Sequence, residues 1–391
     1  MKKILSILFI INCIVAQAQT NIVLSQNAEI TVLTMGPGQE ELYSAFGHSA
    51  IHVFDQVNRI DRVYNYGVFD FDQPNFYLNF ARGYLNYKLD TIDYPRFRYF
   101  YAYYDRYIHE QVLNFDSLQR QKFFNFLEWN MDPANQYYYY DYFYDNCATR
   151  VRDAVIKVFG EDVQFDGSYV NTEYTIRELT DIYLQYQPWG DLGIDICLGL
   201  PMDKKATPNM YMYLPDYIES GFDNATIIRN GELLPLVKNK RVVYNSRGII
   251  PIENSILTPL NVFSALLILI LIVSVIGFLK GNHKYWIDGI LFTAIGFLGV
   301  FLFLLWVATD HNAAGCNMNL IWAIPTHLMA GMMLWRKKKP NWLNRYFLST
   351  TVIGALNLLL WPVLPQMLHY SLIPIVILLT LRSIKIWNSL R

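Results

Sequence analysis

The stretch Y-D-N-C-A-T-R-V-R-D, from Tyr144 to Asp153, decides how the soluble half of this chain is interpreted. Asp145 or Asn146 is a good N-cap residue, because a side-chain oxygen there accepts hydrogen bonds from the free N–H groups of a first helical turn. Ala148–Phe159 has the spacing of an amphipathic helix, and Gly160 is a typical residue to end one. We therefore predict a helix that begins beside the cysteine of this stretch.

Cys147 would lie in the first turn of that helix, where the helix dipole and the free N–H groups stabilise a thiolate and lower the pKa of the thiol. Val151 and Val155 follow at helical spacing, so we expect the three side chains to form one stripe that faces a sheet. Two interpretations remain open, a buried structural cysteine and a nucleophile. Backbone N–H groups at the start of such a helix would be natural donors to an oxyanion.

A thiol nucleophile needs a base, and the segment F-G-H-S-A-I-H-V offers His48 at the start of a predicted strand, Ser49–Phe54. A histidine there can point its ring at the first turn of a helix packed across the sheet, as a Cys–His pair requires. His52 lies on the same strand face and could assist, but we favour the interpretation of a packed or surface histidine. His109 falls in a charged segment that we predict to be a surface helix.

The next predicted strand, Arg62–Phe69, carries Asn65 in the segment Y-N-Y-G. Its amide could orient the imidazole of His48, as amides do in other Cys–His sites, and a polar residue at a strand end is the alternative. Asn21–Thr34 contains β-rich apolar runs, and Ser117–Asn130 has helical periodicity. The soluble half is therefore predicted to be an α+β domain.

The first residues have the pattern of an export signal. Lys2 and Lys3 precede an apolar stretch, Ile4–Val15, which is shorter than the roughly 20 residues that a membrane-spanning helix needs. A small-x-small pattern ends at Ala18. We predict a signal peptide over residues 1–18, followed by a soluble domain over residues 19–250 outside the cytoplasmic membrane.

Residues 259–391 are predominantly apolar, and we predict that they form an all-α bundle of five membrane-spanning helices. Lys and Arg cluster after the first, third and fifth apolar segments, whereas the loops 309–319 and 365–370 contain neither. The basic loops are therefore expected in the cytoplasm and the soluble domain in the periplasm, with the chain in the inner membrane. The five segments are Leu260–Leu279, Trp286–Ala308, Leu320–Trp335, Tyr346–Leu364 and Leu368–Leu381.

Polar residues near the outer ends of the second and third segments are candidates for substrate binding. Asp310, His311, Asn317 and Asn319 lie in the loop T-D-H-N-A-A-G-C-N-M-N and could bind a phospholipid headgroup or an incoming amine. A solvated loop is the alternative. His327 falls near mid-membrane in the third segment, where ionisable residues usually face a cavity or a partner.

Composition limits the kinds of partner. The chain has 391 residues and a formal net charge of −1, which argues against nucleic acid. After signal removal the cysteines are Cys147, Cys197 and Cys316, an odd number, so at least one is expected to be a free thiol. The soluble half has no cluster of His, Cys and Asp at metal-ligand spacing, so neither a metal nor another cofactor is expected.

The chain order, with a histidine on a strand followed by N-C at the start of a helix, resembles that of the circularly permuted papain-like (NlpC-type) fold and of the lecithin:retinol acyltransferase-like enzymes. Over both halves, the chain resembles the Lnb-type lipoprotein N-acyltransferases of Bacteroidota. The segments that carry this resemblance are F-G-H-S-A-I-H-V, Y-N-Y-G-V-F-D-F-D-Q-P-N-F, F-A-R-G, Y-D-N-C-A-T-R-V-R-D, Y-L-P-D-Y and, in the membrane half, D-H…N-M-N-L-I-W-A-I-P.

The resemblance implies that His48 and Cys147 are the catalytic pair of an acyltransferase. The acyl donor would be a membrane phospholipid, and the acceptor would be the α-amino group of the N-terminal cysteine of a diacylated lipoprotein. Two other functions remain open. One is an NlpC-type cell-wall peptidase that uses the same pair on a peptidoglycan stem peptide, and the other is a non-catalytic papain-like binding module on a membrane anchor.

Overall fold

Two antiparallel sheets organise the N-terminal half. The computed structural model describes residues 22–39, 41–69, 71–248, 256–279 and 285–391, and the predicted signal peptide lies outside these ranges. The strands are β1 Glu29–Met35, β2 His48–Asp55, β3 Ile60–Val68, β4 Asn86–Asp93, β5 Ile108–Leu113, β6 Tyr137–Tyr139, β7 Val163–Phe165, β8 Ala225–Arg229, β9 Glu232–Pro235 and β10 Val237–Tyr244. The larger sheet has the order β10-β5-β1-β2-β3-β4-β6, and the smaller has the order β7-β8-β9.

Helices alternate with these strands, so the predicted mixture of α and β structure is confirmed. The helix predicted over Ser117–Asn130 is present, and its N-cap Asp116 accepts a hydrogen bond from the N–H of Gln119. The helices of this half are α1 Phe76–Arg82, α2 Tyr94–Tyr103, α3 Ser117–Met131, α4 Cys147–Phe159, α5 Ile176–Leu184, α6 Pro188–Cys197, α7 Pro208–Tyr211 and α8 Pro215–Asp223.

The centre of the larger sheet is β2, which lies between β1 and β3. Helix α4 packs against β2 and β3, and its stripe of Cys147, Val151 and Val155 is buried, as predicted. The antiparallel register places Tyr64 opposite Ile51. The residues after Tyr64 on β3 therefore run alongside the first residues of β2, so the start of β2 and the end of β3 share one edge of the sheet.

Helix α4 begins and ends where local chemistry predicts. Asn146 is its N-cap, and the Oδ1 atom of Asn146 accepts hydrogen bonds from the N–H groups of Ala148 and Thr149, each 2.9 Å long. Its Nδ2 atom donates to the carbonyl of Tyr213 at 2.8 Å. Gly160 is the C-cap, with φ of +59°. The side chain of Asn146 thus both starts the helix and fixes it to a distant segment.

The prediction of a surface helix around His109 is wrong, because this residue lies in β5. Strand β5 pairs with β1 on one side and with β10 on the other. The ring of His109 stacks on Tyr107, and its Nδ1 atom lies 3.0 Å from Oε2 of Glu219. Strand partners from distant parts of the chain override the helix propensity of a charged segment.

The membrane half is helical. By length and composition, four helical stretches among the described residues could cross a membrane: Pro259–Gly277, Trp286–Val307, Trp342–Val363 and Tyr370–Ser389. A buried ion pair joins Asp288 to Arg382. The helices of this half are α9 Pro259–Leu279, α10 Trp286–Val307, α11 His327–Met333, α12 Trp342–Leu360 and α13 Ile373–Ser389.

The third predicted span, Leu320–Trp335, is not a continuous membrane helix. It consists of the end of a 3-10 turn at Met318–Ile321, an irregular stretch that contains Pro325, and the short helix α11. Proline removes a backbone donor and clashes with the preceding turn, so it interrupts a helix. This broken segment lies along α10: Gly299 faces the backbone of Ala323, and Gly289 faces the ring of Trp335.

Hydrogen bonds connect the two halves at the outer side of the membrane domain. The N–H of Gly199 donates to the carbonyl of Ala313 at 2.7 Å. Nε2 of Gln366 donates to the carbonyl of Leu198 at 2.9 Å. The N–H of Met367 donates to Oδ1 of Asp203 at 2.8 Å. The soluble domain is therefore docked directly on the loops that connect the membrane segments.

Candidate active site

Three polar side chains meet where α4 packs on the shared edge of β2 and β3. The thiol of Cys147 and the imidazole of His48 lie close enough that each shifts the pKa of the other. Nε2 of His48 lies 2.6 Å from Oδ1 of Asn65, which leaves Nδ1 for the thiol. The structure thus brings together the three residues that the sequence predicts to be catalytic.

The environment of Cys147 favours its thiolate. The side chain is buried, with 8% of its surface exposed, and burial raises the pKa of its thiol. The neighbouring His48 and the backbone N–H groups of Ser49 and Ala148 outweigh this effect, so the pKa of Cys147 is below its ordinary value. A helix N-terminus contributes in the same direction.

The environment of His48 favours the imidazolium. Burial lowers the pKa of His48, but its interaction with Cys147 and its hydrogen bond to Asn65 outweigh burial, so the pKa of His48 is above its ordinary value. Since the amide oxygen of Asn65 can only accept, it requires a proton on Nε2 and holds the ring in one orientation. The pKa shifts of His48 and Cys147 thus both act in the direction of a thiolate–imidazolium pair.

Gly67 is a residue of this site that the sequence analysis did not identify. It has φ of +86° and lies at a break in register between β3 and β4. A Cβ atom built on Gly67 would lie 3.7 Å from Cβ of Cys147 and 3.3 Å from Cε2 of Tyr140. The glycine in Y-N-Y-G was the available signal, because glycine inside a strand marks a bulge or a close approach.

Arg106 was also missed, and no local pattern pointed to it. Its guanidinium lies 4.7 Å from the ring centroid of Tyr101, whose ring stacks parallel to that of His48. Its Nε atom donates to the carbonyl of Gly36 at 2.7 Å, while Nη2 is buried without a hydrogen-bond partner among the described residues. The positive charge of Arg106 opposes the rise in the pKa of His48.

His52 does not join the site. Its Nε2 atom lies 2.8 Å from Oδ1 of Asp61, and its ring stacks on Tyr94 with 4.1 Å between centroids. Burial lowers the pKa of His52, which keeps its ring neutral. These contacts identify it as a packed histidine of the sheet.

Asp310 and His311 contact the soluble domain at α1. The N–H of Asp310 donates to the carbonyl of Arg82 at 2.9 Å. Nε2 of His311 lies 3.1 Å from the carbonyl oxygen of Phe80. The side chain of Asp310 is exposed, and that of His311 is partly exposed. These two residues therefore lie at the junction of the soluble domain and the outer end of α10.

Asn317 and Asn319 are buried in the contact between the two halves. Nδ2 of Asn317 donates to the carbonyl of Ile196 at 2.7 Å, and its Oδ1 accepts from the N–H of Asn319. Nδ2 of Asn319 donates to the same carbonyl at 3.2 Å, and its Oδ1 accepts from Nε1 of Trp322. Both amides hold α6 on the membrane domain, which makes them positioning groups rather than open ligand sites.

His327 lies among the membrane helices and is separate from the Cys147 site. Its Nδ1 atom lies 2.7 Å from the hydroxyl oxygen of Tyr346, within hydrogen-bond distance. Its ring also packs edge-on against Phe292. Tyr346 is therefore the polar partner that an ionisable residue within a membrane segment is expected to have.

We expect opposite shifts in the pH profile when Asn65 is replaced by Ala or by Asp. Loss of the acceptor in Asn65→Ala lowers the pKa of His48, so the alkaline limb of the profile moves to lower pH and the rate falls about tenfold or more. A carboxylate in Asn65→Asp raises that pKa, so the limb moves to higher pH. The measurement is the rate of Cys147 acylation by an activated short-chain ester between pH 5 and 10. Identical profiles in both variants would reduce Asn65 to a structural residue.

We expect Gly67→Ala to slow the same acylation by about tenfold or more, because the new methyl group occupies the space between Cys147 and Tyr140. The backbone strain alone costs roughly 1–2 kcal/mol. Gly231→Ala is the matched control, since Gly231 has φ of +82° and no atom within 4 Å of its Cβ position. Equal acylation rates in the two variants would contradict a role for the space beside Cys147.

Comparison with protein families agrees with this two-part structure. Residues 16–182 match the family model of the Lnb N-terminal periplasmic domain, and residues 251–390 match that of the Lnb transmembrane domain. No curated protein and no solved structure matches the chain. The two matched regions cover the candidate site and the membrane segments on which it is docked. The chain is therefore a member of the Lnb family, a multi-pass membrane protein with a periplasmic N-terminal domain.

Proposed function

We propose that this protein moves a fatty acyl chain from a membrane phospholipid, through a thioester on Cys147, to the α-amino group of a lipoprotein N-terminal cysteine. The observation that carries the proposal is that Cys147 lies beside His48, which is hydrogen-bonded to Asn65, in a domain docked on the outer loops of a membrane bundle. Membership of the Lnb family places the chain among membrane proteins of lipoprotein biogenesis.

In the first half-reaction, the thiolate of Cys147 attacks the ester carbonyl of the phospholipid. Asn146 already accepts the N–H groups of Ala148 and Thr149, so we assign the N–H of Cys147 as a donor to the oxyanion. Collapse of the tetrahedral intermediate breaks the ester C–O bond. His48 protonates the leaving oxygen, a lysophospholipid departs, and the acyl group remains as a thioester.

In the second half-reaction, the free amine of the lipoprotein attacks the thioester carbonyl. Neutral His48 removes the proton from the amine, the C–S bond breaks, and Cys147 leaves as a thiolate. An amide is more stable than a thioester, so transfer needs no separate energy source. Asn65 keeps the imidazole aligned through both steps, since its amide oxygen fixes the proton on Nε2.

Location on the membrane supports this substrate assignment. Asp310 and His311 lie where the soluble domain meets the outer end of α10, so we propose that they face the headgroup of the donor or the incoming amine. Asn317, Asn319 and His327 would act indirectly, by positioning the segments that carry these residues.

The order of the catalytic elements also supports a circularly permuted papain-like fold. In this chain, the strand that begins at His48 precedes the helix that begins at Cys147, and the helix packs on that strand. A cell-wall peptidase of the NlpC type would use the same order. Docking on the membrane loops favours a lipid substrate over a peptidoglycan stem peptide.

Mass spectrometry of lipoproteins tests the proposal. Cells that lack this protein should have lipoproteins whose N-terminal cysteine carries a free α-amine, one acyl chain fewer than in the parent strain, and wild-type protein should restore the chain. If the N-terminal mass of the lipoproteins is unchanged and the muropeptides are altered, the protein is a cell-wall peptidase and not a transferase. Unchanged lipoproteins and unchanged muropeptides would favour the non-catalytic module.

A further inference from the structure

The short helix α1 and the residues around it expose an apolar and aromatic surface. The exposed fractions are 61% for Phe71, 78% for Tyr77, 57% for Leu78 and 41% for Phe80. We call these four residues the α1 patch. Large exposed apolar residues close together on a soluble domain mark a site of interaction with a protein or a membrane.

The α1 patch is fixed at the outer boundary of the membrane domain. The C-terminal end of α1 contacts the loop after α10, through the hydrogen bond from the N–H of Asp310 to the carbonyl of Arg82. Gly83 touches the same loop, because a Cβ atom built there would lie 3.0 Å from the carbonyl carbon of Asp310. Helix α10 ends at Val307, so only a few residues separate the membrane-spanning surface from α1.

The surface next to the α1 patch has the composition of a membrane interface. Trp306 and Val307, at the outer end of α10, are 40% and 54% exposed. Arg82 is exposed, its guanidinium lies 4.8 Å from the ring centroid of Tyr84, and no carboxylate of the described residues forms a salt bridge with it. Aromatic rings and basic side chains are typical at the depth of lipid headgroups.

Rings in contact connect the α1 patch with the candidate active site. The centroids of Phe71 and Phe69 are 4.9 Å apart, those of Phe69 and Tyr87 are 4.9 Å apart, and those of Tyr87 and Tyr140 are 4.6 Å apart. Tyr140 borders the space next to Cys147 that Gly67 leaves open. We call these four rings the aromatic track. Phe71, Phe69 and Tyr140 are at least partly exposed, whereas Tyr87 is buried, so an aliphatic chain would lie along the three exposed rings.

We propose that the α1 patch is embedded in the outer leaflet of the cytoplasmic membrane and that the aromatic track guides a phospholipid acyl chain from there to Cys147. The membrane contact rests on exposure and on continuity with α10. The guidance of the chain rests in addition on the proposed function. Apolar rings hold a hydrocarbon chain by removing its surface from water, which also keeps water from the thioester.

Photocrosslinking tests the membrane contact without relying on catalysis. The full-length protein with Cys147→Ala would carry p-benzoylphenylalanine in place of Tyr77, in nanodiscs of phosphatidylethanolamine and phosphatidylglycerol. The control carries the same residue in place of Leu118, which is 83% exposed at the start of α3. The start of α3 lies far from the active site, because Arg120 of α3 donates to the carbonyl of Gln26, near the end of the sheet opposite His48.

We expect phospholipid adducts at position 77 in at least tenfold excess over position 118, because only the former lies within the leaflet. Equal yields at the two positions would overturn the membrane contact. The membrane contact and the acyl transfer can fail separately. If position 77 forms phospholipid adducts but the wild-type protein never acylates Cys147, the membrane contact is supported and the acyl-transfer proposal is removed.

A second experiment tests whether the α1 patch delivers the donor. We expect Leu78→Glu to lower the rate of Cys147 acylation from bilayer phospholipid by about tenfold or more, because a charge replaces apolar surface in the leaflet. Leu118→Glu makes the same exchange on an exposed helical leucine far from α1 and should acylate at the wild-type rate. Thermal unfolding of both variants verifies that they fold. A rate for Leu78→Glu equal to that for Leu118→Glu would overturn delivery through α1.

Discussion

Cys147→Ser in phospholipid nanodiscs should form no acyl-enzyme, with a rate at least about 10³-fold below that of the wild type. Serine has nearly the size of cysteine, so the packing of α4 on β2 and β3 remains. Its hydroxyl, however, is a far weaker acid than the thiol, and the hydrogen bonds that lower the pKa of Cys147 cannot bring it into the same range. The measurement is intact mass, with the thioester identified by its release with hydroxylamine.

The other cysteines provide the controls. Cys316 is exposed in the outer loop, and burial raises the pKa of Cys197 to about 11. Cys197→Ser and Cys316→Ser should both retain the acyl-enzyme mass shift. Alkylation by iodoacetamide should modify Cys147 at lower pH than Cys197, because only the former is stabilised as a thiolate. A Cys147→Ser protein that still restores lipoprotein acylation in cells would eliminate the thioester mechanism.

Arg177→Met should destabilise the docked soluble domain by about 3–5 kcal/mol, because it leaves buried carboxylates without a counter-charge. The Arg177 guanidinium is fully buried; Nη1 lies 2.5 Å from Oδ1 of Asp195, and Nε lies 3.0 Å from Oδ1 of Asp203. It also donates to the carbonyls of Leu198 and Gly199. The measurements are the thermal midpoint in nanodiscs and proteolytic cleavage between residues 195 and 203.

Neighbouring acidic residues make this effect large. Burial, together with the nearby Asp195 and Asp191, raises the pKa of Asp181 to about 8, which shows that a further negative charge is unfavourable in this cluster. Loss of Arg177 removes the positive charge that stabilises the ionised carboxylates of this cluster. Because Asp203 also accepts the N–H of Met367 from the membrane half, the variant should loosen the contact between the halves as well as the domain itself.

Two further variants make the result interpretable. Arg177→Met combined with Asp195→Asn and Asp203→Asn removes the unpaired charges and should recover part of the lost stability. Arg62→Met breaks a partly exposed ion pair with Glu128 and should cost less than about 1 kcal/mol. If the single variant at Arg177 were no less stable than Arg62→Met, the buried network would not hold the domain in place.

Local patterns in the sequence predicted α4 well. A capping residue, an apolar stripe and a terminal glycine determine a helix within about fifteen residues, and each acts on its own neighbours. The same holds for β2 and β3, where alternating apolar residues bounded by polar turns predicted strands within one or two residues of those observed. Segments of this kind need no distant partner to be recognised.

Other features depended on partners that a local pattern cannot show. His109 lies in a strand because β1 and β10 pair with it on both sides. The third membrane segment is broken because Pro325 interrupts it, whereas hydropathy counts only apolar residues. Asn317 and Asn319 were interpreted as ligands, but their amides bind a carbonyl about 120 positions earlier in the chain. Arg106 approaches His48 only through the packing of α2 and β5 around the sheet.

The sequence by itself determined the topology and the identities of the candidate catalytic residues, because charge placement, apolar length and helix capping are local properties. Only the tertiary structure decided that Cys147, His48 and Asn65 meet, that a glycine leaves open the space beside the thiol, and that α1 touches the membrane domain. These relations join residues from 17 to more than 200 positions apart. They arise when α4 buries its apolar stripe on β2 and β3 and when backbone groups of the two halves form hydrogen bonds with each other. Both depend on how distant segments pack and not on local composition.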